Sequence, residues 1–137
     1  MVIPAYNEEQ RLPAALDAMI EYLERRSDSA RDPVGPWFSW EVLVVDDGST
    51  DGTSALAMRY ASRLGYDRVR VMRLPRNSGK GFAIKSGVLA ARGEAVLMAD
   101  ADGATEVRRG LLWFAPISAM TASRQQGRES TRCDVTS

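Results

Sequence analysis

Histidine is absent from the 137-residue chain, and cysteine occurs once, as Cys133. Without histidine there is no Ser-His or Cys-His nucleophile pair and no imidazole ligand for a metal. A single cysteine excludes a disulfide framework and a cysteine-based zinc site. Any catalytic acid, base or metal ligand must therefore come mainly from Asp and Glu, with Lys or Tyr as lesser candidates.

The chain also lacks an excess charge and a long apolar run. Eighteen basic residues balance eighteen acidic ones, so bulk charge gives no reason to expect binding to nucleic acid or to an anionic membrane. The longest weakly polar stretch, residues 110–120, is interrupted by Pro116 and falls well short of the ~20 residues that span a membrane. No signal peptide is visible. We expect a globular domain, with no membrane anchor within this sequence.

Two common nucleotide-binding fingerprints are missing from the sequence. No G-x-G-x-x-G pattern is present, which argues against a dinucleotide-binding domain of the Rossmann kind. A Walker A loop would need glycine at position 74, which is Leu74.

Short apolar runs alternate with segments of helical periodicity. The predicted strands are residues 2–3, 41–45, 69–74 and 95–98. The apolar stripes of the predicted helices are Leu12, Leu16, Met19, Ile20 and Leu23, then Leu56, Tyr60 and Leu64, then Ile84, Val88 and Ala91. The order β-α-β-α-β-α-β predicts an α/β fold with a parallel sheet and right-handed crossovers.

Turn and capping residues predict where these helices begin and end. Asp51 or Thr53 is expected to cap the second helix, and Gly65 is expected to end it. Gly93 is expected to end the third helix, and residues 25–40 are expected to form a loop.

Residues 1–106 and 107–137 differ in character. The second segment carries five Arg against two acidic residues, Glu129 and Asp134, and shows no sustained period. We expect residues 1–106 to form the folded unit and residues 107–137 to be an atypical, disordered tail. The first strand is very short and the last segment is atypical, so both ends are interpreted as truncated.

Polar clusters follow all four predicted strands. They occupy residues 4–8, 46–49, 76–81 and 100–103. In an open parallel sheet, ligands bind beyond the carboxyl ends of the strands. The four clusters together therefore predict a binding site at one edge of the sheet more strongly than any one of them does alone.

Asp100 and Asp102 place two carboxylates on a tight turn after the fourth predicted strand. Oxygen ligands of this kind suit Mg²⁺ or Mn²⁺, which would bridge the protein to a diphosphate and neutralise charge on a phosphate leaving group. Asp and Gly are also common turn residues, so a simple turn is the alternative.

Three further features have two interpretations each. Asp46 and Asp47, adjacent after an apolar strand, either cap the next helix or accept hydrogen bonds from a base or ribose. Lys80, flanked by glycines, either offsets phosphate charge or pairs with the acidic clusters. Tyr6 either stacks on a flat base or fills the edge of the core.

Taken together, residues 2–9, 44–51 and 100–103 resemble the family 2 glycosyltransferases with the GT-A fold. More narrowly, the chain is similar to the dolichyl-phosphate β-glucosyltransferases, and the segments that carry this similarity are residues 11–13, 21–24, 76–81 and 98–105. The match covers residues 1 to about 106 in order and spacing. It implies the parallel-sheet, nucleotide-sugar-binding half of a GT-A (Rossmann-like) fold.

The resemblance implies an activity: inverting, metal-dependent transfer of glucose from UDP-glucose to dolichyl phosphate, for protein N-glycosylation. The implied place is the cytoplasmic face of the endoplasmic reticulum membrane. The metal would be Mg²⁺ or Mn²⁺, and no nucleic acid is involved.

The resemblance also implies roles for residues at matching positions. Pro4, Tyr6 and Glu8 would frame the nucleotide. The remaining implied donor-binding residues are Asp46 or Asp47 for the uracil and ribose, Lys80 near the donor, and Asp100, which together with Asp102 would bind the metal and the sugar diphosphate. No catalytic residue is identified, because the acceptor-binding half of the family pattern has no counterpart in residues 107–137. We therefore expect the chain to lack efficient transferase activity on its own.

Three other interpretations remain open. The first is a related family 2 enzyme that uses mannose or a bacterial polyprenyl-phosphate acceptor. The second is a receiver-like phosphoacceptor domain, which is disfavoured because its acidic pair would follow the first strand and its lysine the last. The third is a non-catalytic fragment that binds nucleotide weakly or is unstable, since small domains are only marginally stable.

Overall fold

The computed structural model describes residues 1–27 and 39–101. Three strands and three helices alternate along them: β1 (Val2–Ala5), α1 (Leu12–Ser27), β2 (Val42–Asp46), α2 (Thr53–Leu64), β3 (Val69–Arg73) and α3 (Lys80–Ala90). This order confirms the α/β class expected from the sequence. Helix α1 extends into the loop expected from residue 25. The rest of that loop up to residue 38, and the expected tail at residues 107–137, lie outside the described residues.

The three strands form a parallel sheet in the order β1-β2-β3. Ile3 pairs with Val44, and Val44 pairs with Val71 on the other side, so β2 is the central strand. Every residue of β2 is buried, as expected for a continuous apolar run with both faces covered. The carboxyl ends of all three strands therefore lie at one edge of the sheet.

The fourth strand expected at residues 95–98 is reduced to isolated bridge residues, Ala95 and Met98, and Met98 pairs in parallel with Val2. Val2 donates its N–H to the carbonyl of Leu97 at 2.8 Å and accepts the N–H of Ala99 at 3.1 Å. The expectation that this segment is a buried strand was wrong, because Met98 is 52% exposed. In the part of the chain that the structure describes, no strand lies on its outer side to cover it.

Helices α1 and α2 cover one face of the sheet, and α3 covers the other. Alternate strand side chains point to opposite faces, so Ile3 and Val44 join the α1–α2 core while Val2 and Val45 join the α3 core. All five residues predicted for the α1 stripe are buried, which confirms that stripe.

The buried faces of α2 and α3 differ from the prediction. Helix α2 buries Tyr60 as expected, but Leu56 and Leu64 are only half-buried, and Ala57 and Ala61 are fully buried instead. Small residues on the buried side of a helix allow its backbone to approach the sheet closely. Gly65, at a φ of 94°, follows the last residue of α2, as predicted.

Helix α3 shows the same effect more strongly. It ends at Ala90, not at Gly93, and its buried residues are Ala83 and Gly87, with Ile84 and Val88 half-buried. The expected stripe was therefore displaced, because a glycine and an alanine make the closest contact with the sheet.

Replacing Gly87 with alanine tests this close contact. A Cβ atom at Gly87 would lie 2.4 Å from Cγ1 of Val2 and 2.8 Å from Cγ2 of Val45. Overpacking costs about 1–3 kcal/mol, which exceeds the gain of about 1 kcal/mol from a better helix former. We expect urea denaturation to show a net loss of stability. Gly81→Ala, where nothing lies within 4 Å of the new Cβ, should show no loss, and equal effects of the two substitutions would contradict the packing argument.

At the opposite edge of the sheet, Glu41 joins β2, β3 and the end of α3. Its Oε2 accepts from Nη1 of Arg70 at 3.0 Å and its Oε1 accepts from the N–H of Arg92 at 2.5 Å. Arg70 also donates to the carbonyl of Ala90 at 3.1 Å. Burial tends to raise the pKa of Glu41, but the hydrogen bonds from Arg92 and Arg70 more than offset it and lower the pKa.

Glu41→Gln is expected to destabilise the fold near neutral pH by about 1 kcal/mol. A carboxyl group whose pKa is lowered in the folded state stabilises above its unfolded pKa, and this contribution disappears as the pH falls through the folded value. The difference between the two proteins in urea denaturation should therefore shrink below about pH 4. A difference that grows on acidification would be the opposite of this result. Glu94→Gln, at an exposed position, serves as the control.

Candidate functional site

A cavity of about 310 Å³ opens at the carboxyl edge of the sheet. Its walls come from the segments after β1, β2 and β3, and from the segment that follows the bridge at Met98. The lining residues are Pro4, Ala5, Tyr6, Glu8, Asp47, Asn77, Gly79, Lys80, Ala83, Asp100 and Ala101. The four polar clusters of the sequence thus contribute to one cavity.

Most of the residues expected to form the site line this cavity: Pro4, Tyr6, Glu8, Asp47, Lys80 and Asp100. Asp46 is fully buried and does not line it. Asp102 lies outside the described residues.

Beside the cavity, hydrogen bonds join two loops, residues 6–9 and 49–53, which we call the two-loop clasp. Of these residues, Tyr6 and Glu8 line the cavity. Asn7 donates its N–H to Oγ of Ser49 at 3.0 Å, and its Oδ1 accepts the N–H of Thr50 at 2.9 Å. Asn7 adopts a φ of 54°, a left-handed conformation that asparagine tolerates better than most residues. These contacts fix the direction of the chain on both sides of Asn7, and so the positions of Tyr6 and Glu8.

The other end of the two-loop clasp lies at the start of α2. Glu8 donates its N–H to Oγ1 of Thr53 at 2.8 Å, and Glu9 donates its N–H to Oδ2 of Asp51 at 3.2 Å. In return, Gly52 donates its N–H to Oε2 of Glu9 at 3.0 Å. Sequence reasoning missed this reciprocal arrangement; the only available signal was the density of Asn, Ser, Thr and Asp in the two loops.

The N-cap of α2 is Gly52, with no side-chain cap hydrogen bond, so neither Asp51 nor Thr53 occupies the predicted cap position. Asp51 precedes the cap and accepts the N–H of Thr53, the first residue of α2, at 2.9 Å. Burial opposes ionisation of this carboxyl, but hydrogen bonds from Thr53 and from the N–H of Glu9 outweigh it and lower the pKa of Asp51. The carboxylate is thus held ionised at the junction of the two loops, where it supports both.

The adjacent carboxylates Asp46 and Asp47 have different surroundings. Oδ1 of Asp46 accepts the N–H of Ser49 at 2.8 Å and closes the turn after β2. Its Oδ2 lies 3.6 Å from Nε of Arg73. Asp46 is fully buried, so it supports the loop from below and is not part of the cavity surface.

Asp47 connects the loop after β2 to the loop after β3. Its Oδ1 accepts the N–H of Ser78 and its Oδ2 accepts the N–H of Gly79, each at 2.8 Å. Bonds to an ionised acceptor are the stronger kind, and the side chain is nearly completely buried. Asp47 therefore positions the residues that lead into α3 and also faces the cavity.

Gly48 permits the close approach of these two loops. It adopts a φ of 71°, and a Cβ atom there would lie 2.5 Å from the carbonyl carbon of Arg76 and 2.7 Å from the nitrogen of Asn77. Backbone atoms cannot move aside as a flexible side chain does. Only glycine fits this position in the observed arrangement.

Lys80 was expected in the glycine-rich turn after β3, but it is the first residue of α3. Its Nζ lies 2.5 Å from Oδ1 of Asp100, across the cavity. Of the two interpretations made from the sequence, the described structure shows pairing with an acidic cluster. This ion pair joins the third polar cluster, which follows β3, to Asp100, the first residue of the fourth cluster.

Tyr6 and Glu8 line the cavity in different ways. The ring of Tyr6 is 44% exposed, so it lies on the cavity surface and does not fill the core. Glu8 forms a fork with Arg11, whose Nε and Nη2 both lie 2.7 Å from its carboxylate oxygens. The cavity thus combines an accessible aromatic ring with carboxylates that are held in place.

The oxygen ligands that line the cavity are of the type that a hard divalent cation prefers. Asp100 offers carboxylate oxygen, the ligand type that Mg²⁺ and Mn²⁺ favour, and it already holds a cationic group, the ammonium of Lys80. Within residues 1–27 and 39–101, no group of three or more acidic, His or Cys residues forms a complete metal site. The second carboxylate of the motif, Asp102, lies outside that range.

Comparison with known proteins identifies the family. Residues 1–107 match the sequence model described as glycosyl transferase family 2. The chain belongs to that family. This confirms the resemblance inferred from the polar motifs.

Three relatives of this family 2 chain are informative. It is 53% identical over 106 residues to the dolichyl-phosphate beta-glucosyltransferase of Homo sapiens. The matched segment covers 77% of this chain and 31% of that protein. It is similar to Staphylococcus aureus TarS 1-349 solved with UDP-GlcNAc, with 29% identity, a TM-score of 0.54, and coverage of 74% of this chain and 25% of that one. It is also similar to the mannosyltransferase PcManGT of Pyrobaculum calidifontis, solved with GDP-Man and Mn²⁺, at 31% identity and a TM-score of 0.54, covering 74% and 26% respectively.

These likenesses confirm the expected GT-A fold for the matched part of the chain. The family 2 chain spans about a third of the length of the human relative and about a quarter of the two solved proteins. In the part of the chain that the structure describes, no helix is both long and apolar enough to cross a membrane.

Proposed function

We propose that this chain is the donor-binding part of a dolichyl-phosphate β-glucosyltransferase, which moves glucose from UDP-glucose to dolichyl phosphate. The observation that carries the proposal is the cavity, because it brings the polar motifs together in a segment 53% identical to the human enzyme of that name. Residues 1–106 would form the donor-binding half, and residues 107–137 would lie outside it.

The cavity offers suitable groups for a nucleotide. The exposed ring of Tyr6 has the flat apolar face on which a base stacks, and Pro4 and Glu8 would frame it. Asp47 uses one lone pair of each oxygen for the amides of Ser78 and Gly79. A carboxylate has about four acceptor positions, so it retains capacity for an N–H of the uracil or a hydroxyl of the ribose. Of the implied pair, Asp47 is favoured over Asp46 because it lines the cavity.

Asp100 and Asp102 would hold Mg²⁺ or Mn²⁺ together with the sugar diphosphate. The metal would supply neutralisation of the charge that develops on the departing diphosphate. Support comes from the carboxylate of Asp100 at the cavity and from the family relative solved with GDP-Man and Mn²⁺.

The proposed reaction needs no histidine base. An oxygen of the acceptor phosphate, already anionic, attacks the anomeric carbon of glucose. The bond from that carbon to the β-phosphate oxygen breaks, its electron pair leaves with UDP, and the configuration inverts. No proton has to be removed from the nucleophile. Electrostatic stabilisation of the leaving group would then supply much of the catalysis.

The acceptor suggests where the protein works. Dolichyl phosphate is a membrane lipid, and the resemblance to the dolichyl-phosphate β-glucosyltransferases implies the cytoplasmic face of the endoplasmic reticulum membrane as the place of the reaction. The acceptor-binding part would have to come from outside the described residues.

A second candidate is a family 2 transferase with another donor. The relative solved with GDP-Man favours a mannosyltransferase as the alternative. The motifs around Asp47 and Asp100 do not distinguish the two sugars.

Calorimetric titration with UDP-glucose, UDP-GlcNAc and GDP-mannose, each with Mn²⁺, tests the choice of donor. The proposal predicts that UDP-glucose binds the 137-residue chain most tightly. Preferential binding of GDP-mannose would instead support the second candidate. If a folded chain binds none of the three, the donor-site proposal is wrong.

A further inference from the structure

The ion pair between Lys80 and Asp100 occupies the place where the proposed metal would bind. Nζ of Lys80 lies 2.5 Å from Oδ1 of Asp100, and both residues line the cavity. The side chains remain 63% and 41% exposed, respectively. An ammonium group therefore neutralises the carboxylate that is expected to receive a divalent cation.

Two cations cannot share this carboxylate without repulsion. A unit charge and a divalent ion this close repel appreciably even at the dielectric constant of water. The ammonium must therefore withdraw from Asp100 before a cation binds there fully. Withdrawal costs little, because a solvent-exposed ion pair contributes little to stability and the stem of a lysine is flexible.

A nucleoside diphosphate provides a new partner for the withdrawn ammonium. Lys80 is the first residue of α3, and Asn77 and Gly79 beside it also line the cavity. Asp47 anchors this loop through the amides of Ser78 and Gly79, so the backbone of Lys80 is held beside the cavity, while the flexible stem of a lysine lets its ammonium reorient. A diphosphate held at the cavity would lie within reach of that ammonium.

We infer that Lys80 is a positioning residue with two ion-pair partners. Its ammonium pairs with Asp100 in the absence of metal, and it pairs with the diphosphate when metal and nucleotide bind together. The inference rests on the proposed function, in which Asp100 is a metal ligand. It predicts that a divalent cation alone binds weakly, and that cation and nucleotide bind with positive coupling. In this way Lys80 disfavours occupation of the site by metal without donor.

The test measures Mn²⁺ binding to the 137-residue chain by electron paramagnetic resonance, with and without UDP. In Lys80→Met, Mn²⁺ alone should bind about tenfold more tightly, because the competing charge is gone. UDP at saturating Mn²⁺ should bind about tenfold more weakly, because the diphosphate has lost a cationic partner. Lys80→Arg should behave more like the parent protein in both measurements. Lys85→Met, at an exposed position of the same helix, should change neither.

Opposite changes in the affinities for Mn²⁺ and for UDP distinguish this role from a structural one. A structural role would weaken the binding of both ligands or of neither. Unchanged Mn²⁺ binding in a folded Lys80→Met protein overturns the inference. Asp100→Asn separates this failure from that of the proposed function. If Mn²⁺ and UDP still bind together in Asp100→Asn, the proposed metal site is wrong and the inference fails with it. If they no longer do, while Lys80→Met matches the parent, only the inference fails.

Discussion

Asp47→Ala is expected to abolish measurable UDP binding and to lower the free energy of unfolding by at least about 3 kcal/mol. The substitution removes two hydrogen bonds from a buried carboxylate to the amides of Ser78 and Gly79, and bonds to charged groups contribute about 1.5–3 kcal/mol each. The loop that leads into α3 would lose its anchor. Calorimetry with UDP and Mn²⁺, together with urea denaturation, measures both effects.

Asp67→Ala is the matched control for Asp47. The side chain of Asp67 is completely exposed, and its ion-pair partner, Arg92, is 3.9 Å away, so both measurements should remain unchanged. If Asp47→Ala bound UDP as the parent protein does, Asp47 would have no part in the donor site. A loss of stability with normal binding would limit Asp47 to a structural role.

Gly48→Ala is expected to have an effect of similar size through the backbone. A residue other than glycine at positive φ is strained by about 1–3 kcal/mol, and the new Cβ would also lie 2.5 Å from the backbone of Arg76. The loops after β2 and β3 would have to separate, which would disturb the amides that Asp47 holds. We expect a loss of at least about 2 kcal/mol in urea denaturation, accompanied by weaker UDP binding.

Gly65→Ala separates the backbone strain of a positive φ from the steric clash of an added Cβ atom. Gly65 also has a positive φ, of 94°, but nothing lies within 4 Å of its added Cβ. It should therefore show only the strain, with UDP binding unchanged. Equal losses of stability in Gly48→Ala and Gly65→Ala would show that the close approach to Arg76 contributes nothing.

The order of the elements and the edge that carries the site were predictable from the sequence. Continuous β-branched runs such as residues 42–45 identify strands covered on both faces. Turn residues after them locate the carboxyl edge. Since parallel strands bring these ends together, the position of Tyr6, Asp47 and Asp100 at one cavity followed from topology alone.

The finer details depended on contacts that one sequence does not show. The buried faces of α2 and α3 were misplaced because Ala57, Ala61 and Gly87, not the larger apolar residues, lie closest to the sheet. Periodicity locates an apolar stripe but does not show how closely a helix approaches. The fourth strand was overestimated because an apolar run forms a strand only if a neighbour pairs with its length.

The separate roles of Asp46 and Asp47 were also beyond sequence reasoning. The two residues are identical in type and adjacent in sequence, and the direction of each carboxylate is decided by partners far along the chain. Asp47 meets Ser78 and Gly79 only because Gly48 lets the two loops approach. The two-loop clasp, whose donors and acceptors are more than forty positions apart, is hidden for the same reason.

The most direct test of the donor-site proposal is a calorimetric titration of UDP-glucose into the folded 137-residue chain, with and without Mn²⁺. The same titration would be made with the double variant Asp100→Asn, Asp102→Asn. The account predicts binding that requires Mn²⁺ and disappears in the double variant, while circular dichroism shows both proteins folded. Binding that is independent of Mn²⁺ and of both carboxylates, or no binding by a folded parent chain, would contradict it.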